Sequence, residues 1–214
     1  ESLLNRSDVI YKDEFYDLSI KSFRRPFEPF RKQIPLYLGG IGPKMTNLSS
    51  EIFDGYIGHV VCSMDYLKND IVPYFKKNDS NAKITSIVCC SINEDKKKAI
   101  EDAKGTIAFY ATVKAYSKPF IDLGYEKNVE KIRNAFFDSN NKKKYNNNKE
   151  EIIKNVSDEM VADFAICGSR EEAKEKIMEY QKILSFPILT APHYYLEEAT
   201  VRHYQDQILE TFKI

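Results

Sequence analysis

The sequence predicts an α/β fold built from parallel β/α units. Four apolar runs of strand length are each followed by a stretch of helical periodicity. A glycine-rich turn, Gly39-Gly40-Ile41-Gly42-Pro43, closes the first run and opens a helix. The third run, Ile84 to Cys90, is continuously apolar rather than alternating, as a strand buried on both faces requires. The chain has 214 residues, 43% apolar and 30% charged. That is enough for one large folded domain or two small ones, and it argues against general disorder.

Along the chain, Ser7 to Tyr11 and Glu14 to Leu18 read as two short extended pieces around a turn at Lys12-Asp13, and Arg24 to Pro29 as a proline-punctuated loop. Ile34 to Leu38 is the first strand of the repeating pattern. Lys44 to Phe53 is its helix, with Met45, Leu48, Ile52 and Phe53 on one apolar face. Gly55 to Val61 is the second strand. Ser63 is placed to cap a helix over Met64 to Lys76. After the third strand, Glu94 and Asp95 put negative charge at the start of a long helix running to Tyr116. Residues 118–165 read as a helical insertion. It contains a helix over Asn128 to Phe137, a polar low-complexity tract from Asn140 to Lys149 read as a solvated loop, and a short helix beginning near Val156. Ser169-Arg170-Glu171-Glu172 has the capping-box spacing and opens a helix to about Leu184. Phe186 to Thr190 is the fourth strand, and Glu197 to Phe212 the closing helix. An open doubly wound sheet and part of a (β/α)8 barrel both fit. A complete barrel takes eight strands and about 250 residues.

Several functional classes are excluded. Lys+Arg and Asp+Glu number 32 each, so the chain lacks the basic profile of a general nucleic-acid or membrane-surface binder. No apolar run approaches the ~18 residues of a membrane helix. The start, Glu1 to Arg6, has no signal-peptide pattern and no initiator Met, which suggests a processed, trimmed or fragmentary chain. Cys62, Cys89, Cys90 and Cys167 form no C-x-x-C pair and read as small buried hydrophobes of a reducing cytoplasm. No Ser-His-Asp or Cys-His grouping and no metal-ligand spacing is present.

Ile34-Pro35-Leu36-Tyr37-Leu38-Gly39-Gly40-Ile41-Gly42-Pro43-Lys44-Met45, followed by Glu51-Ile52-Phe53-Asp54-Gly55-Tyr56-Ile57, resembles a motif of the bacterial-luciferase-like oxidoreductase superfamily. Val88 to Asp95, Ala162 to Glu172 and Pro187 to Phe212 resemble one branch, the 5,10-methylenetetrahydromethanopterin reductases. The resemblance implies a partial (β/α)8 TIM barrel. Residues 1–214 would be its C-terminal half, strands five to eight, with the insertion at 118–165 following the seventh. The half that carries much of the flavin or deazaflavin pocket, with its backbone kink, would lie outside this chain. The implied reaction is hydride transfer from coenzyme F420 to a pterin one-carbon carrier, without a metal. The alternatives are an FMN-dependent monooxygenase of the same superfamily, or a non-catalytic half barrel. The raw edges of a half barrel imply self-association, or packing on the other half barrel.

Barrel chemistry gathers at the carboxyl ends of strands, and three such ends stand out. At Gly39, Gly40, Ile41, Gly42, Pro43, Lys44 and Thr46, glycines allow close backbone approach, the helix start favours an anion, and Lys44 and Thr46 add a charge and a hydroxyl. On its own this is often only a turn; the resemblance implies contact with the cofactor phosphate. Pro43 removes an amide that a helix start leaves unbonded anyway. The second end carries His59 and Val60. The resemblance again implies the phosphate side, and His59 reads either as an imidazolium that binds an anion or as an ordinary polar residue at a strand mouth. At the third end, His193 and Tyr194, with Tyr195 beside them, offer donors to a substrate head group; alternatively the tyrosines pack under the insertion and His193 is solvated. His203, in the closing helix, reads as a surface residue.

Overall fold

The alternation of apolar runs and helical periods becomes a parallel sheet wrapped by helices in the computed structural model, which describes residues 8–23, 26–31, 33–137 and 149–213. The chain divides into two units, Glu1–Leu36 and Tyr37–Ile214. In the first, β1 (Val9–Lys12) pairs antiparallel with β2 (Asp17–Ile20), Val9 opposite Ile20 and Lys12 opposite Asp17. Asp13 makes the turn. Its Oδ1 accepts from the amides of Phe15 and Tyr16 at 2.8 and 2.6 Å, the local bonding that favours Asp in turns. Ser7, Arg24, Arg25 and the tract 140–148 lie outside the described residues.

The second unit begins with β3 (Tyr37–Gly39), α1 (Pro43–Ile52) and β4 (Gly55–Gly58). Next come α2 (Met64–Tyr66), a five-residue π turn over Leu67–Ile71, and α3 (Val72–Lys77). β5 (Lys83–Ile92) leads into α4 (Lys96–Thr112), a 3-10 turn (Lys114–Tyr116), α5 (Ser117–Asp122), α6 (Glu126–Phe137), α7 (Lys149–Ile153) and α8 (Asp158–Phe164). β6 (Ala165–Gly168), α9 (Arg170–Gln181), β7 (Phe186–Thr190) and α10 (Glu198–Phe212) complete it.

All pairings in this sheet are parallel. β5 bonds β4 along Lys83–Ser86, β7 along Thr85–Cys89 and β6 along Cys89–Ile92. The run β3-β4-β5-β7 curls. A flat sheet would hold β3 and β7 about 14 Å apart, at about 4.8 Å per step. Yet the rings of Tyr37 and Phe186 approach to 6.3 Å between centroids. Gly55 permits this, because a Cβ there would lie 2.2 Å from the Tyr37 ring. Thr85, fully buried, donates its hydroxyl to the Phe186 carbonyl and ties β5 to β7 on the same path. The result is an open parallel trough.

Both faces of β5 are buried, as its unbroken apolar run requires. Val88, Cys90 and Ile92 pack with Leu67, Ile71, Phe75, Ile177 and Tyr180 from the helices on one side. Cys89 points the other way, into a core with Val60, Ile107, Phe120 and Phe164 under α4 to α8. The helix starts follow local chemistry. Ser63 accepts from the Tyr66 amide, Asp95 from those of Lys97 and Lys98, and Ser157 from that of Met160.

Four features depart from the sequence expectation. The helix expected over Met64 to Lys76 contains the π turn. Pro73 has no amide for an α-helical bond and its ring crowds the preceding turn; widening the ladder just before it relieves both. α5 forms in spite of Pro119, which lies in its first turn, where a missing amide costs nothing. β6 is too short to show a period.

The fourth departure concerns α1, which buries Thr46, Ser49 and Ser50 and leaves Met45, Leu48 and Ile52 exposed, Ile52 by 71%. Its polar face is satisfied: Ser49 donates to the Gly55 carbonyl at 3.0 Å, and Ser50 to the Asn47 carbonyl at 2.8 Å while accepting from Asn78 at 2.7 Å. Small residues there let the helix lie close to β4. Among the described residues, no helix is long and apolar enough to cross a membrane.

The capping box on α9 is complete: Glu172 accepts from the Ser169 amide at 2.8 Å and donates its own amide to Ser169 Oγ at 3.3 Å. Ser169→Ala should cost about 1 kcal/mol in urea unfolding. Lys96 and the Ser169 amide hold the Glu172 carboxyl below its usual range. Its contribution is therefore present above the ordinary carboxylate pKa and lost as pH falls through the lowered value. The Glu172→Gln variant should show a correspondingly shallower acid limb.

Candidate functional site

The carboxyl ends of β3, β4 and β7 carry the residues singled out from the sequence. At the end of β3 the backbone is pinned before it turns. Gly40 donates its amide to the Ile57 carbonyl at 3.4 Å, and its carbonyl accepts from Tyr56 Oη at 2.6 Å. A Cβ on Gly40 would fall 2.7 Å from that of Met45. Gly42 caps α1 with φ at 96°, a conformation other residues rarely adopt, and open space lies where its Cβ would be. Pro43 follows at the first helical position. With no side chain at the cap, helix geometry leaves the Lys44 and Met45 amides without an intrahelical acceptor, at the positive end of a ten-residue helix. Lys44 is exposed beside them.

Other members of this loop have internal roles. The Gly42 amide donates to Tyr66 Oη at 3.2 Å. Thr46, expected to offer a hydroxyl to an anion, is fully buried and donates to the Gly42 carbonyl at 3.0 Å; it braces the turn from beneath. Ile41 packs against both cores. Gly39 ends β3 and stays exposed.

At the end of β4, Val60 is 3% exposed and its side chain belongs to the core under α4. His59 is half-buried between two tyrosines, stacked on Tyr116 at 4.5 Å and edge-on to Tyr110 at 4.6 Å. Burial lowers its pKa. At neutral pH the ring is therefore uncharged, which corrects the imidazolium reading. Burial likewise pushes the Tyr110 phenol up to about 12, Tyr194 adding to the shift.

At the end of β7, Tyr194 packs on Phe109 with centroids 3.7 Å apart and meets Tyr110 edge-on at 5.6 Å. The His193 amide donates to Thr106 Oγ at 2.9 Å, and its Nδ1 lies 3.0 Å from the Ala191 carbonyl. His193 is thus half-buried and anchored rather than free in solvent. Tyr194 packs on α4, through Phe109 and Tyr110. Gly105 makes the crossing possible, since a Cβ there would lie 2.3 Å from the Tyr194 carbonyl. A cavity of about 450 Å³ opens beside Tyr194, lined by Phe109, Phe136 and Tyr195, with Lys149 and Glu197 as its charged members. A larger one, about 570 Å³, lies near the start of β5 against Lys68, Phe75, Ile84 and Lys182, away from the strand ends where such folds place chemistry.

One aromatic array therefore joins His59 to His193 and Tyr194 through Tyr110, Tyr116 and Phe109. Phe109, Thr106 and Gly105 gave no local signal beyond a helix that changes from charged to aromatic and small residues. The four cysteines are free thiols; three are buried and Cys167 partly so, with pKa values raised by burial. They are unsuited to nucleophilic work. Among the described residues no cluster of His, Cys, Asp or Glu could hold a metal. His203 is exposed, as expected.

The family model described as luciferase-like monooxygenase matches residues 1–185. The 5,10-methylenetetrahydromethanopterin reductase of Archaeoglobus fulgidus is 29% identical over 154 residues, 70% of this chain and 45% of the relative. The chain thus spans less than half the length of that protein. The coenzyme F420 dependent tetrahydromethanopterin reductase of Methanopyrus kandleri superposes with a TM-score of 0.72 at 20% identity, over 99% of this chain and 60% of the other. An F420-dependent secondary alcohol dehydrogenase, solved with an F420-acetone adduct, gives 0.58 at 18% identity, over 99% and 57%. The fold is shared with both.

Gly105→Ala sets about 1 kcal/mol of gained helix propensity against about 1–3 kcal/mol of overpacking. The variant should unfold at lower temperature and lose near-ultraviolet dichroism as Tyr194 leaves Phe109; a raised Tm would contradict the close approach. His59 generates a pH dependence. Its folded pKa lies below the unfolded value of about 6.5, so the unfolded state takes up the proton first. Stability from the neutral ring should be complete above that value and fall as pH drops below it, and this component should be absent in His59→Phe.

Proposed function

The chain belongs to the luciferase-like monooxygenase family, and from that premise we propose that it is the C-terminal half of a (β/α)8 oxidoreductase using a deazaflavin, coenzyme F420, for hydride transfer to a pterin one-carbon carrier. β3, β4, β5 and β7 would be strands five to eight, with residues 118–165 as the insertion after the seventh. The observation that carries the reading is the glycine turn. It offers the unbonded Lys44 and Met45 amides, the Lys44 ammonium and the open approach at Gly42, a donor set that suits the cofactor's phosphate. Gly39, Gly40 and Pro43 shape that turn. Tyr194 and His193, held against α4, would meet the substrate side.

When bound, the deazaflavin supplies the two-electron chemistry, and the protein binds, orients and excludes water. The chain's own residues suit that division. The aromatic array offers flat apolar walls, and burial keeps its Tyr110 phenol protonated at neutral pH. The exposed stripe of Met45, Leu48 and Ile52 on α1, and the exposed Phe186 and Ile188 on β7, would pack against the other half of the barrel or a second copy.

Titration of the chain with deazaflavin and with FMN, followed by cofactor fluorescence, tests the reading. Deazaflavin should bind, inorganic phosphate should compete, and Lys44→Ala should weaken binding about tenfold, or about 1.4 kcal/mol. Preferential retention of FMN would move the assignment to a flavin monooxygenase; binding of neither would end it.

A further inference from the structure

The larger cavity, about 570 Å³, belongs to neither the glycine turn nor the aromatic array. It opens at the amino end of β5, between α3 and the end of α9, and has the volume of a small-molecule pocket. Val72 and Phe75, three apart on one face of α3, make one apolar wall, and Ile84 and Ile183 make the other. Phe75 is the buried floor. Three exposed lysines surround these side chains: Lys68 from the π turn, Lys76 from the last turn of α3, and Lys182 from the cap of α9. Their stems extend the apolar walls while the ammonium groups keep to water. Among the described residues, none of the three is in an ion pair, and Asp79 is the one acid of the lining.

Lysines are common at helix C-termini, where they offset the negative pole. Here the last carbonyls are already bonded by turn amides. Those of Asn78, Asp79 and Ser80 donate to the carbonyls of Tyr74, Lys76 and Phe75 at 3.0, 3.3 and 2.9 Å, and those of Lys182 and Ile183 to Glu179 and Tyr180 at 3.3 and 3.0 Å. The ammonium groups are left to a ligand. Lys68 and Lys182, from different elements, also act on one point. The Glu179 carboxyl, bonded to Lys176 at 2.8 Å, is held below its usual range first by that ammonium and then by Lys182 and Lys68. We propose that this cavity is a binding site for a single-chain amphiphile with a carboxylate head. The chain would lie on Phe75, Ile84 and Ile183, and the head among the lysines. A bare anion would leave the apolar walls wet, and a neutral chain would leave the charges unanswered; an anionic amphiphile satisfies both. The site lies at the opposite end of the strands from the glycine turn and does not rest on the proposed function.

The test titrates octanoate, below its micellar range, into the chain while the methyl signals of Ile84 and Ile183 are followed by NMR. Octanoate should shift both. It should bind at least about tenfold more tightly than butanoate, since each buried methylene is worth about fourfold. Octanol, with the chain but no charge, should be weaker by about tenfold as well, and octylammonium should not bind there. Lys68→Glu and Lys182→Glu each reverse a charge at an exposed position. Each should keep the wild-type Tm without ligand and weaken octanoate about tenfold, whereas Lys182→Arg should retain binding. Octanoate should raise the Tm of wild type but not of Lys182→Glu, and added salt should weaken it. Equal binding of octanol and octanoate would show an apolar surface without head-group recognition and would overturn the proposal. So would undiminished binding by either Glu variant, shifts confined to other apolar surfaces, or no binding. The cofactor titration separates the two claims. If octanoate binds here while deazaflavin and FMN do not bind, this site stands and the proposed function falls. If deazaflavin binds and octanoate does not, only the proposed function stands.

Discussion

Every strand of the parallel sheet hydrogen-bonds, directly or through β4, to Lys83–Ile92. β4, β6 and β7 each pair with a different stretch of that strand, and β3 hangs from β4. A strand with partners along its whole length and helices on both faces has no solvated side. Hence, after the exposed Lys83, its residues are Ile, Val and Cys with three small hydroxyls, and hence two cores form, one on either side of the Cys89-Cys90 pair. Most of the remaining architecture serves to cover those two faces.

Parallel pairing sets the geometry of the candidate site, because it puts the carboxyl ends of β3, β4 and β7 on one rim. At the opposite, amino ends of those strands, Tyr37 reaches Phe186 because Gly55 has no side chain. The loop after β7 then lies against α4 at Gly105 and Thr106, which carries Tyr194 to Phe109 and Tyr110. Two glycines distant in sequence are thus each needed for a close approach, Gly55 at the amino ends of the strands and Gly105 beside the rim of their carboxyl ends. That rim holds an amide-rich turn at one end and an uncharged aromatic wall at the other. The first is the positive end of a helix, which favours negative charge.

Membership of the luciferase-like monooxygenase family accords with this arrangement. The chain spans less than half of the archaeal reductase it resembles, and its described strands make an open trough rather than a closed barrel. The exposed apolar stripe on α1 and the half-exposed inner residues of β7 are what such a trough leaves uncovered.

Local chemistry made much of the fold legible. Ser63, Asp95 and Ser169 announced helix starts because a short side-chain oxygen reaches an amide two or three residues on, whatever the rest of the chain does. The four barrel-type strands were visible as apolar runs, and the glycine turn as a change of backbone demand. Other features depended on neighbours distant in sequence. The apolar period of α1 marked a helix but not which side would be buried, and the connection from β3 to β4 turned Thr46, Ser49 and Ser50 inward. His59 read as a possible cation because charge state depends on surroundings. Tyr110 and Tyr116, more than fifty residues away, desolvate it and keep it neutral. Val60 and Thr46 looked available because adjacency in a motif says nothing about depth. By itself the sequence determined what bonds within a few residues; the tertiary structure alone decided which face is buried, which group is charged and which buried polar atoms stay unmatched, because those depend on what packs against them.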